Sequence, residues 1–416
     1  MSPRKPALGF IFVTLVLDIL GIGLIIPILP KLVDQLAEGG ISEASHVYGL
    51  LAALYSLMQF LFAPLLGSLS DRFGRRPVIL ASLLGSGLDY FLLAFAPSLA
   101  WFFVGRIIAG VTGANFSAAT AYIADVSPPE KRAANFGLIG AAFGLGFIIG
   151  PAMGGFLGEI GLRVPFFVAG GLTLLNWLYG LIVLPESLKL KNRSQFSWTR
   201  ANPVGSLLSL RRYPLVLGLS GSHFLIQVAH QVLPSTWVLY TAYRYGWSPA
   251  QTGASLAVVG LMAAIMQGGV TRLVVPRLGE MKTAAFSLIV SALAYIGYGL
   301  ATEGWMLYLI IIAGSLGGLA NPAIKGLISN SIGDNEQGQM QGSLSSLTSL
   351  AGIIGPPVAA GLFGYFITDA APFYLPGAAF FLSACLVILA IALAARSAKR
   401  ARLIKEREEA VASAEV

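Results

Sequence analysis

The sequence is poor in charge. Aspartate, glutamate, lysine and arginine make up only 11% of the 416 residues, whereas a soluble globular protein carries roughly a quarter of its residues in charged form. So few charges do not cover a water-exposed surface, which excludes an ordinary soluble domain. Cysteine and histidine are also scarce, with one and three residues. The single Cys385 excludes a disulfide framework, and the histidines lack a metal-ligand spacing. We therefore expect no metal and no cofactor.

Long apolar runs make up most of the chain. A membrane-spanning helix needs about 20 apolar residues, and twelve segments are long and apolar enough. We predict spans at 8–30, 47–70, 77–96, 99–125, 134–158, 164–184, 214–240, 249–275, 281–301, 304–330, 339–366 and 371–395. The first run is too long for the core of a cleaved signal peptide and contains Asp18, so no cleaved leader is expected. The sequence predicts an all-α, polytopic membrane protein.

Lysine and arginine are distributed unevenly between alternate loops. If both termini are cytoplasmic, 22 of the 27 basic residues fall in cytoplasmic segments, and the outer loops hold only Lys31, Arg163 and Arg244. Basic residues favour cytoplasmic loops, so we predict this orientation in the cytoplasmic (inner) membrane. The net charge of +8 is then a consequence of topology. The lipid bilayer is an expected partner, and nucleic acid is not.

One long polar stretch, 185–213, interrupts the chain near its midpoint. We interpret it as a cytoplasmic linker, with a short amphipathic piece near 203–212, between six-helix bundles at 1–184 and 214–395. A cytoplasmic tail follows at 396–416. The interval from Asn115 to Glu130 recurs from Asn321 to Glu336, an offset of 206 residues. Many transporters are built from such repeats, with a substrate site near the membrane midplane. We expect two related bundles acting as a monomer.

The loop between the second and third predicted spans is dense in charge. Residues 67–77 read Gly-Ser-Leu-Ser-Asp-Arg-Phe-Gly-Arg-Arg-Pro. We predict that Gly67 and Gly74 allow close helix approach and a tight turn. The charged residues are predicted to form a latch of ion pairs, and they are Asp71, Arg72, Arg75 and Arg76. The alternative is that the arginines only anchor the loop at the cytoplasmic surface.

Four charged residues lie deep within predicted spans, namely Asp18, Asp89, Arg106 and Lys325. Charges inside a membrane are costly and mark functional sites. Proton coupling requires a carboxyl group that gains and loses a proton. Asp18 and Asp89 are therefore candidate proton-coupling residues, with Arg106 as their charged neighbour. The alternative is that each carboxylate is structural and is satisfied by Arg106.

The seventh predicted span carries a polar stripe. His223, Gln227 and His230 share one helical face, and Gln231 follows them. A polar stripe on a membrane helix favours a wet cavity, so we predict that these residues contact substrate. The two histidines lie about 10 Å apart along the axis, too far to share a metal. Further predicted cavity residues, each with local packing as the alternative, are Tyr55, Gln59, Asn115, Phe116, Gln267 and Asn321.

The charged loop resembles the signature of the major facilitator superfamily, G-x-L-x-D-R-x-G-R-R/K. Within that superfamily the chain is similar to the twelve-span drug/proton antiporters, and most of all to the bacterial tetracycline efflux proteins. Besides the loop, the resemblance rests on Leu17-Asp18, Gly21–Leu24, Leu54-Tyr55, Leu57–Phe60, Asp89-Tyr90, Gly105-Arg106, Ala121–Asp125, Gly150-Pro151, Leu184–Ser187 and Gln341–Leu344.

The resemblance implies two pseudo-symmetric six-helix bundles and proton-driven efflux of a drug-like or amphipathic molecule such as tetracycline, by alternating access. It ties Asp18 and Asp89 to transport, and it pairs Asp125 with the loop arginine, here Arg75. It also makes a glycine-rich face of the fifth span the packing motif of antiporters. Glycines four apart allow close helix contact, and the motif comprises Gly146, Gly150, Pro151, Gly154 and Gly155.

Three positions depart from tetracycline efflux proteins. Ser291 replaces an acid of the ninth span, Ala263 replaces a histidine of the eighth, and Lys325 replaces a glutamine of the tenth. We expect Lys325 either to complete a charge network with Asp18 or Asp89, or to attract an anionic or zwitterionic substrate. The structural alternative is that it extends to the membrane surface.

Proton-coupled efflux is the leading hypothesis from the sequence. The alternative is proton symport or facilitated transport of a small organic, possibly anionic solute, and a more remote one is a non-transporting receptor on the same fold. The sequence has no phosphate-binding glycine loop, so the expected transport is driven by the proton gradient and not by ATP. An enzyme is not predicted, because no Ser/His/Asp or paired-carboxylate arrangement appears at one membrane level.

Overall fold

The structure, a computed structural model, describes residues 8–113, 116–128, 132–190, 193, 214–329 and 337–414. These residues form helices and turns, with no β-strand among them. We call 8–190 the first half and 214–414 the second half. The helices of the first half are α1 (Leu8–Ile25), α2 (Leu29–Leu36), α3 (Gly40–Phe73), α4 (Arg75–Phe95), α5 (Leu99–Gly113), α6 (Phe116–Val126), α7 (Arg132–Ile160) and α8 (Val164–Val183).

The second half repeats this pattern of long and broken helices. Its α-helices are α9 (Pro214–His230), α10 (Val232–Tyr245), α11 (Pro249–Ile265), α12 (Thr271–Leu278), α13 (Glu280–Leu300), α14 (Gly304–Gly314), α15 (Ala320–Ser329), α16 (Gln337–Phe366) and α17 (Ala378–Ala414). A π-helical turn, Met266–Val270, joins α11 to α12, and a 3-10 turn, Ser315–Leu319, joins α14 to α15.

The helices bear out eleven of the twelve predicted spans, and the seventh, 214–240, is divided between α9 and α10. Where pieces broken by turns are joined, the described residues contain eleven helices long and apolar enough to cross a membrane. The last span was expected over 371–395, but α17 begins at Ala378, since two prolines precede it and proline cannot donate a backbone hydrogen bond. It continues to Ala414, so most of the predicted tail is helical. Most of the predicted linker lies outside the described residues.

Two spans break at matching points. In the second half, Pro234 has no N–H to donate to the carbonyl of His230, and α9 ends at His230. In the first half, α1 ends at Ile25. The repeat offset of 206 carries Ile25 onto Gln231, the residue at the second break. Irregular backbone at membrane depth is tolerated where it is buried in protein or lines a cavity.

The two halves meet along two helix pairs, α3 with α16 and α7 with α11. Glycines of α7 bring backbones together on two sides of that helix. A Cβ atom at Gly150 would lie 2.7 Å from the Cα of Gly23 on α1, and one at Gly155 would lie 3.1 Å from the Cα of Ala250 on α11. Distances this short leave no room for a side chain. The glycine motif of the fifth span therefore packs α7 against both its own half and the other half.

Candidate functional site

A cavity of about 360 Å³ lies where the two halves meet. Its wall includes Ile25 and Gln231, so both helix breaks face it. The first half supplies all of its charged and aromatic lining, which comprises Asp18, Tyr48, Tyr55, Asp89, Tyr90 and Arg106. The second half supplies Gln231, Pro234, Ser235 and Pro356. The structure thus brings the three predicted proton-coupling residues to one cavity.

The charged side chains of this cavity are nearly inaccessible. Asp18, Asp89 and Arg106 have exposed fractions of 6%, 2% and 8%. Within the described residues, Oδ1 of Asp89 and both Nε and Nη2 of Arg106 lack a hydrogen-bond partner. The guanidinium acts on the Asp89 carboxyl electrostatically. A buried polar atom without a partner costs roughly 1–3 kcal/mol, so these groups are suited to bind a ligand or a proton in the cavity.

Tyr55 links this charged site to a further predicted residue. The guanidinium carbon of Arg106 lies 5.7 Å from the centre of the Tyr55 ring, within the range of a cation–π contact. The side-chain amide of Gln59 donates to the Tyr55 hydroxyl at 2.7 Å. A Cβ atom at Gly105 would lie 2.9 Å from Oδ1 of Asp89, so the glycine allows the carboxyl group to approach α5.

Two residues of the polar stripe share a partner that the sequence did not reveal. Nε2 of His223 lies 3.3 Å from the Thr348 hydroxyl, and the amide of Gln227 donates to that hydroxyl at 3.2 Å. Lys325 is near enough to His223 for an electrostatic interaction. We call these four residues the second-half polar cluster. Thr348 was missed because a single threonine in an apolar helix carries no signal of its own.

The second-half polar cluster is separate from the cavity described above, because none of its four residues lines that cavity. Within the described residues, no carboxylate forms an ion pair with Lys325. Lys325 was predicted to complete a charge network with Asp18 or Asp89, but the structure shows no ion pair between Lys325 and either residue. The carboxyl group of Glu280 packs against Gly326, the residue that follows Lys325.

The other predicted cavity residues are dispersed. His230 is the last residue of α9, and its side chain is exposed, with Nδ1 3.3 Å from the hydroxyl of Tyr295. Phe116 stacks on Phe143 with ring centres 5.3 Å apart. Gln267 is exposed in the π-helical turn. Asn321 and Asn115 complete the set, the first near the start of α15 and the second outside the described residues.

The charged loop forms ion pairs through Arg75 and Asp71 at one end of the bundle, which we call the latch end, whereas Arg72 and Arg76 have no carboxylate partner among the described residues. Arg75 is buried and bonds to three side chains. Its Nε donates to Asp125 at 3.1 Å, and its Nη1 donates to Ser70 at 2.7 Å and to Asp71. Gly74 has a φ of +107°, a backbone conformation that favours glycine. The loop therefore turns at Gly74 and places Arg75 between α3 and α6.

The segment after α8 closes this latch. Glu186 accepts the backbone N–H of Arg75 at 2.9 Å, and Ser187 donates to Asp125 at 2.9 Å. From the sequence alone, Leu184–Ser187 is only one of the segments that resemble the family. In the structure, residues of this segment contact both Arg75 and Asp125, the two partners of the ion pair. Arg76 also reaches back to α8, donating to the carbonyl of Leu181 at 2.6 Å.

Two loop residues play smaller parts than predicted. Arg72 lies outside the latch and stacks over the ring of Phe73 at 5.1 Å, which suits the alternative of a surface anchor. A Cβ atom at Gly67 would lie 3.8 Å from the hydroxyl of Ser117, which is ordinary van der Waals contact. The prediction that Gly67 permits a close helix approach is therefore wrong for this structure.

Metal-ligating side chains do not group together in the part of the chain that the structure describes. The cavity is lined by carboxyl, guanidinium and phenol groups. Such groups can pair with charged ligands, and the carboxyl groups can also bind and release protons.

Comparison with known proteins gives the family. The model of the Major Facilitator Superfamily matches residues 11–356 and 277–415. The chain belongs to the major facilitator superfamily. The predicted fold class is confirmed, and this superfamily member is a multi-pass membrane protein.

Individual relatives narrow the resemblance. The class C tetracycline resistance protein of Escherichia coli is 44% identical, over 86% of this chain and 89% of that protein. The human organic anion transporter MFSD10 is 26% identical with a TM-score of 0.69, over 94% of this chain and 100% of that one. A bacterial homolog of the human lysosomal transporter Spinster, inward-facing and occupied, has a TM-score of 0.76 at 16% identity, over 94% and 96% of the two chains. The Spinster homolog shows the fold alone. The predicted resemblance to tetracycline efflux proteins is confirmed.

Proposed function

We propose that this superfamily member is a secondary active transporter that exports a drug-like molecule such as tetracycline in exchange for protons. The observation that carries the proposal is the cavity where the halves meet, with Asp18, Asp89 and Arg106 in its wall. A tetracycline resistance protein with 44% identity supports this substrate class. The proposal makes the chain a transporter and not an enzyme.

Competition for the same buried carboxyl groups explains how exchange arises. A charged Asp89 attracts Arg106 and any cationic group of a substrate, whereas a protonated Asp89 does not. Proton and substrate then occupy the cavity in turn, because each lowers the affinity for the other. Antiport follows if the empty transporter changes its access direction less readily than the loaded forms.

Alternating access requires contacts that form in one state and break in another. The latch of Arg75, Asp71 and Asp125 is such a contact, since all of its members are charged and lie at one end of the bundle. Tyr55 and Gln59 connect Arg106 to α3, the helix that ends in the latch loop. We propose that α3 transmits changes of charge in the cavity to the latch.

The proposed setting follows from the uneven distribution of basic residues. The latch end faces the cytoplasm, both termini are cytoplasmic, and the protein lies in the inner membrane as a monomer. The partners are the substrate, protons and the lipid bilayer. Basic loops on the cytoplasmic side support this orientation.

Transport by the purified protein in liposomes tests the proposal. Antiport predicts that tetracycline accumulates in vesicles with an acidic lumen, because protons leave as the drug enters, and that protein-free vesicles accumulate less. Lumenal alkalinity should drive no accumulation. Uptake equal to that of protein-free vesicles under both gradients would overturn the proposal.

A second candidate is proton symport or facilitated transport of a small organic anion. The second-half polar cluster favours it, because Lys325 has no ion-pair partner among the described residues and could bind an anionic group. The human organic anion transporter with 26% identity supports the same idea. Accumulation of an anionic dye such as carboxyfluorescein in vesicles with an alkaline lumen would favour this candidate over antiport.

A further inference from the structure

The end of the bundle opposite the latch end carries a second set of charged contacts. We call it the far end, and it includes the loops at 96–98, 161–163 and 301–303. Glu159 lies at the far end of α7 in the first half, and its Oε1 accepts the N–H of Ala250 on α11 at 3.0 Å. Lys31 of α2 donates to the carbonyl of Trp247 at 2.7 Å. Both contacts cross from one half to the other.

The start of α11 explains why it needs an outside acceptor. The first N–H groups of a helix have no partner within the helix. Ser248 and Gln251 satisfy one another through a capping box, and Pro249 has no N–H to satisfy. The N–H of Ala250 is therefore the one donor in this first turn that has no partner within the described residues of the second half. Glu159 of the first half accepts its hydrogen bond.

The charges match the backbone groups they meet. A carboxylate is stabilised at the N-terminus of a helix, where the N–H groups and the helix dipole are positive. An ammonium group is stabilised by a carbonyl oxygen, and Lys31 meets one at the residue before the cap. Glu159 and Lys31 also attract one another, with Asp34 as a further charged neighbour of Lys31. The positively charged Lys31 and the negatively charged Glu159 thus bind the two ends of the same turn, 247–250.

Neighbouring contacts place this turn in a wider closure of the far end. Ser45 of α3 donates to the carbonyl of Ala360 on α16 at 2.7 Å, and Ser42 donates to that of Gly364 at 2.8 Å. These bonds involve neutral groups, whereas the contacts of Glu159 and Lys31 involve full charges. Hydrogen bonds to charged groups are stronger, by about twofold.

We propose that Glu159 and Lys31 form a clasp that holds the far end closed and must release before the cavity opens at that end. The latch at the opposite end ties residues of the first half to one another, whereas the clasp ties one half to the other. Glu159 and Lys31 are therefore positioning residues, which set the balance between access states without touching substrate. This proposal stands independently of what is transported.

Spin-label distance measurements on the full-length protein in liposomes test the clasp. Labels at Ser98→Cys and Thr302→Cys report on the far end, since both positions are exposed and belong to different halves. The native Cys385 is exposed and is replaced by serine throughout. We expect Glu159→Gln to raise the population with the long, open distance relative to the short, closed one by roughly two- to fivefold. The amide oxygen of glutamine can still accept the N–H of Ala250, but the negative charge is lost, and an exposed charged contact contributes about 0.2–1 kcal/mol. Lys31→Met should act in the same direction.

Glu43→Gln is the matched control. Glu43 also accepts a backbone N–H, that of Gly39, but within its own half. This variant should keep the wild-type ratio. If Glu159→Gln and Lys31→Met fold as single species and keep the ratio of wild type and Glu43→Gln, the clasp is wrong. The measurement uses no substrate and no proton gradient, so its failure is distinct from a failure of the proposed transport activity.

Discussion

The two halves of the chain share a helical plan but differ in what they bury. In the first half the charged residues Asp89 and Arg106 reach the cavity, and Arg75 is held by two carboxylates at the latch end. In the second half the buried polar contacts are mostly neutral. His223 and Gln227 share a hydroxyl group there.

This difference shows that a repeated backbone does not impose a repeated chemistry. Both halves break their first helix at matching points, Ile25 and Gln231, and both breaks line the cavity. The first half contributes an apolar residue at this point and the second half an amide. The acid–base groups of the first half suit proton coupling, and the neutral groups of the second suit substrate selection. Changes that exchange or remove these properties test the division.

Substitution of Asp89 should have the largest effect on transport, because it removes the acid–base chemistry that distinguishes the first half from the second. Asp89→Asn keeps the shape of the side chain but cannot gain and lose a proton. We expect tetracycline accumulation driven by an acidic lumen to fall to the level of protein-free liposomes, because Asp89 is 2% exposed, lines the cavity and interacts electrostatically with Arg106. The measurement is uptake at several lumenal pH values.

Glu43→Gln serves as its control. Glu43 is an exposed acid of the same half that does not line the cavity, so this variant should keep both the rate and the pH dependence of the wild type. Retention of wild-type pH dependence in Asp89→Asn would show that coupling does not depend on this carboxyl group.

Neutralising Lys325 should have a smaller effect, which we expect on the affinity for substrate and not on proton coupling. Lys325→Gln removes a charge that no described carboxylate pairs with, and it leaves the acids of the first half in place. A hydrogen bond to a charged group contributes about 1.5–3 kcal/mol, so we expect KM for an anionic substrate to rise roughly tenfold. Proton coupling should remain.

Lys325→Arg is the matched variant, since it keeps the charge. Both variants are compared with the wild type in initial-rate uptake of carboxyfluorescein and of tetracycline. A loss of pH dependence in Lys325→Gln would place proton coupling in the second half as well and would remove the difference between the halves.

The features that depend on local chain chemistry were predictable from the sequence. The apolar runs gave the helices, because lipid allows few other ways to satisfy backbone polar groups. The pairing of Arg75 with Asp125 followed from the resemblance. Asp18, Asp89 and Arg106 met at one cavity because buried charges in a membrane gather where they face each other or water.

Features that depend on the contact between helices were not predictable. The stripe of α9 was expected to face one cavity, but His223 and Gln227 turn to Thr348 while Gln231 alone lines the wall. The contact of Glu159 was equally unpredictable. An acidic residue at a helix end does not indicate, from sequence alone, which backbone N–H group of the other half it will accept a hydrogen bond from.

The smallest effect is expected at the centre of the second-half polar cluster. Thr348→Val keeps the shape of the side chain and removes the hydroxyl that contacts both His223 and Gln227. Each bond contributes about 1 kcal/mol, so the Tm of the purified protein should fall by roughly 2–4 °C. Thr348→Ser should recover most of the loss.

Ser349→Ala completes this test, because the Ser349 hydroxyl is exposed and donates to a backbone carbonyl of its own helix at 3.2 Å. Its Tm should match the wild type, measured by thermal unfolding in the same detergent. If Thr348→Val behaves like Ser349→Ala, the shared hydroxyl does not stabilise the second half. The neutral polar side chains of the second half would then serve substrate binding and not helix packing. The two halves would differ in function and not in how their polar groups stabilise the fold.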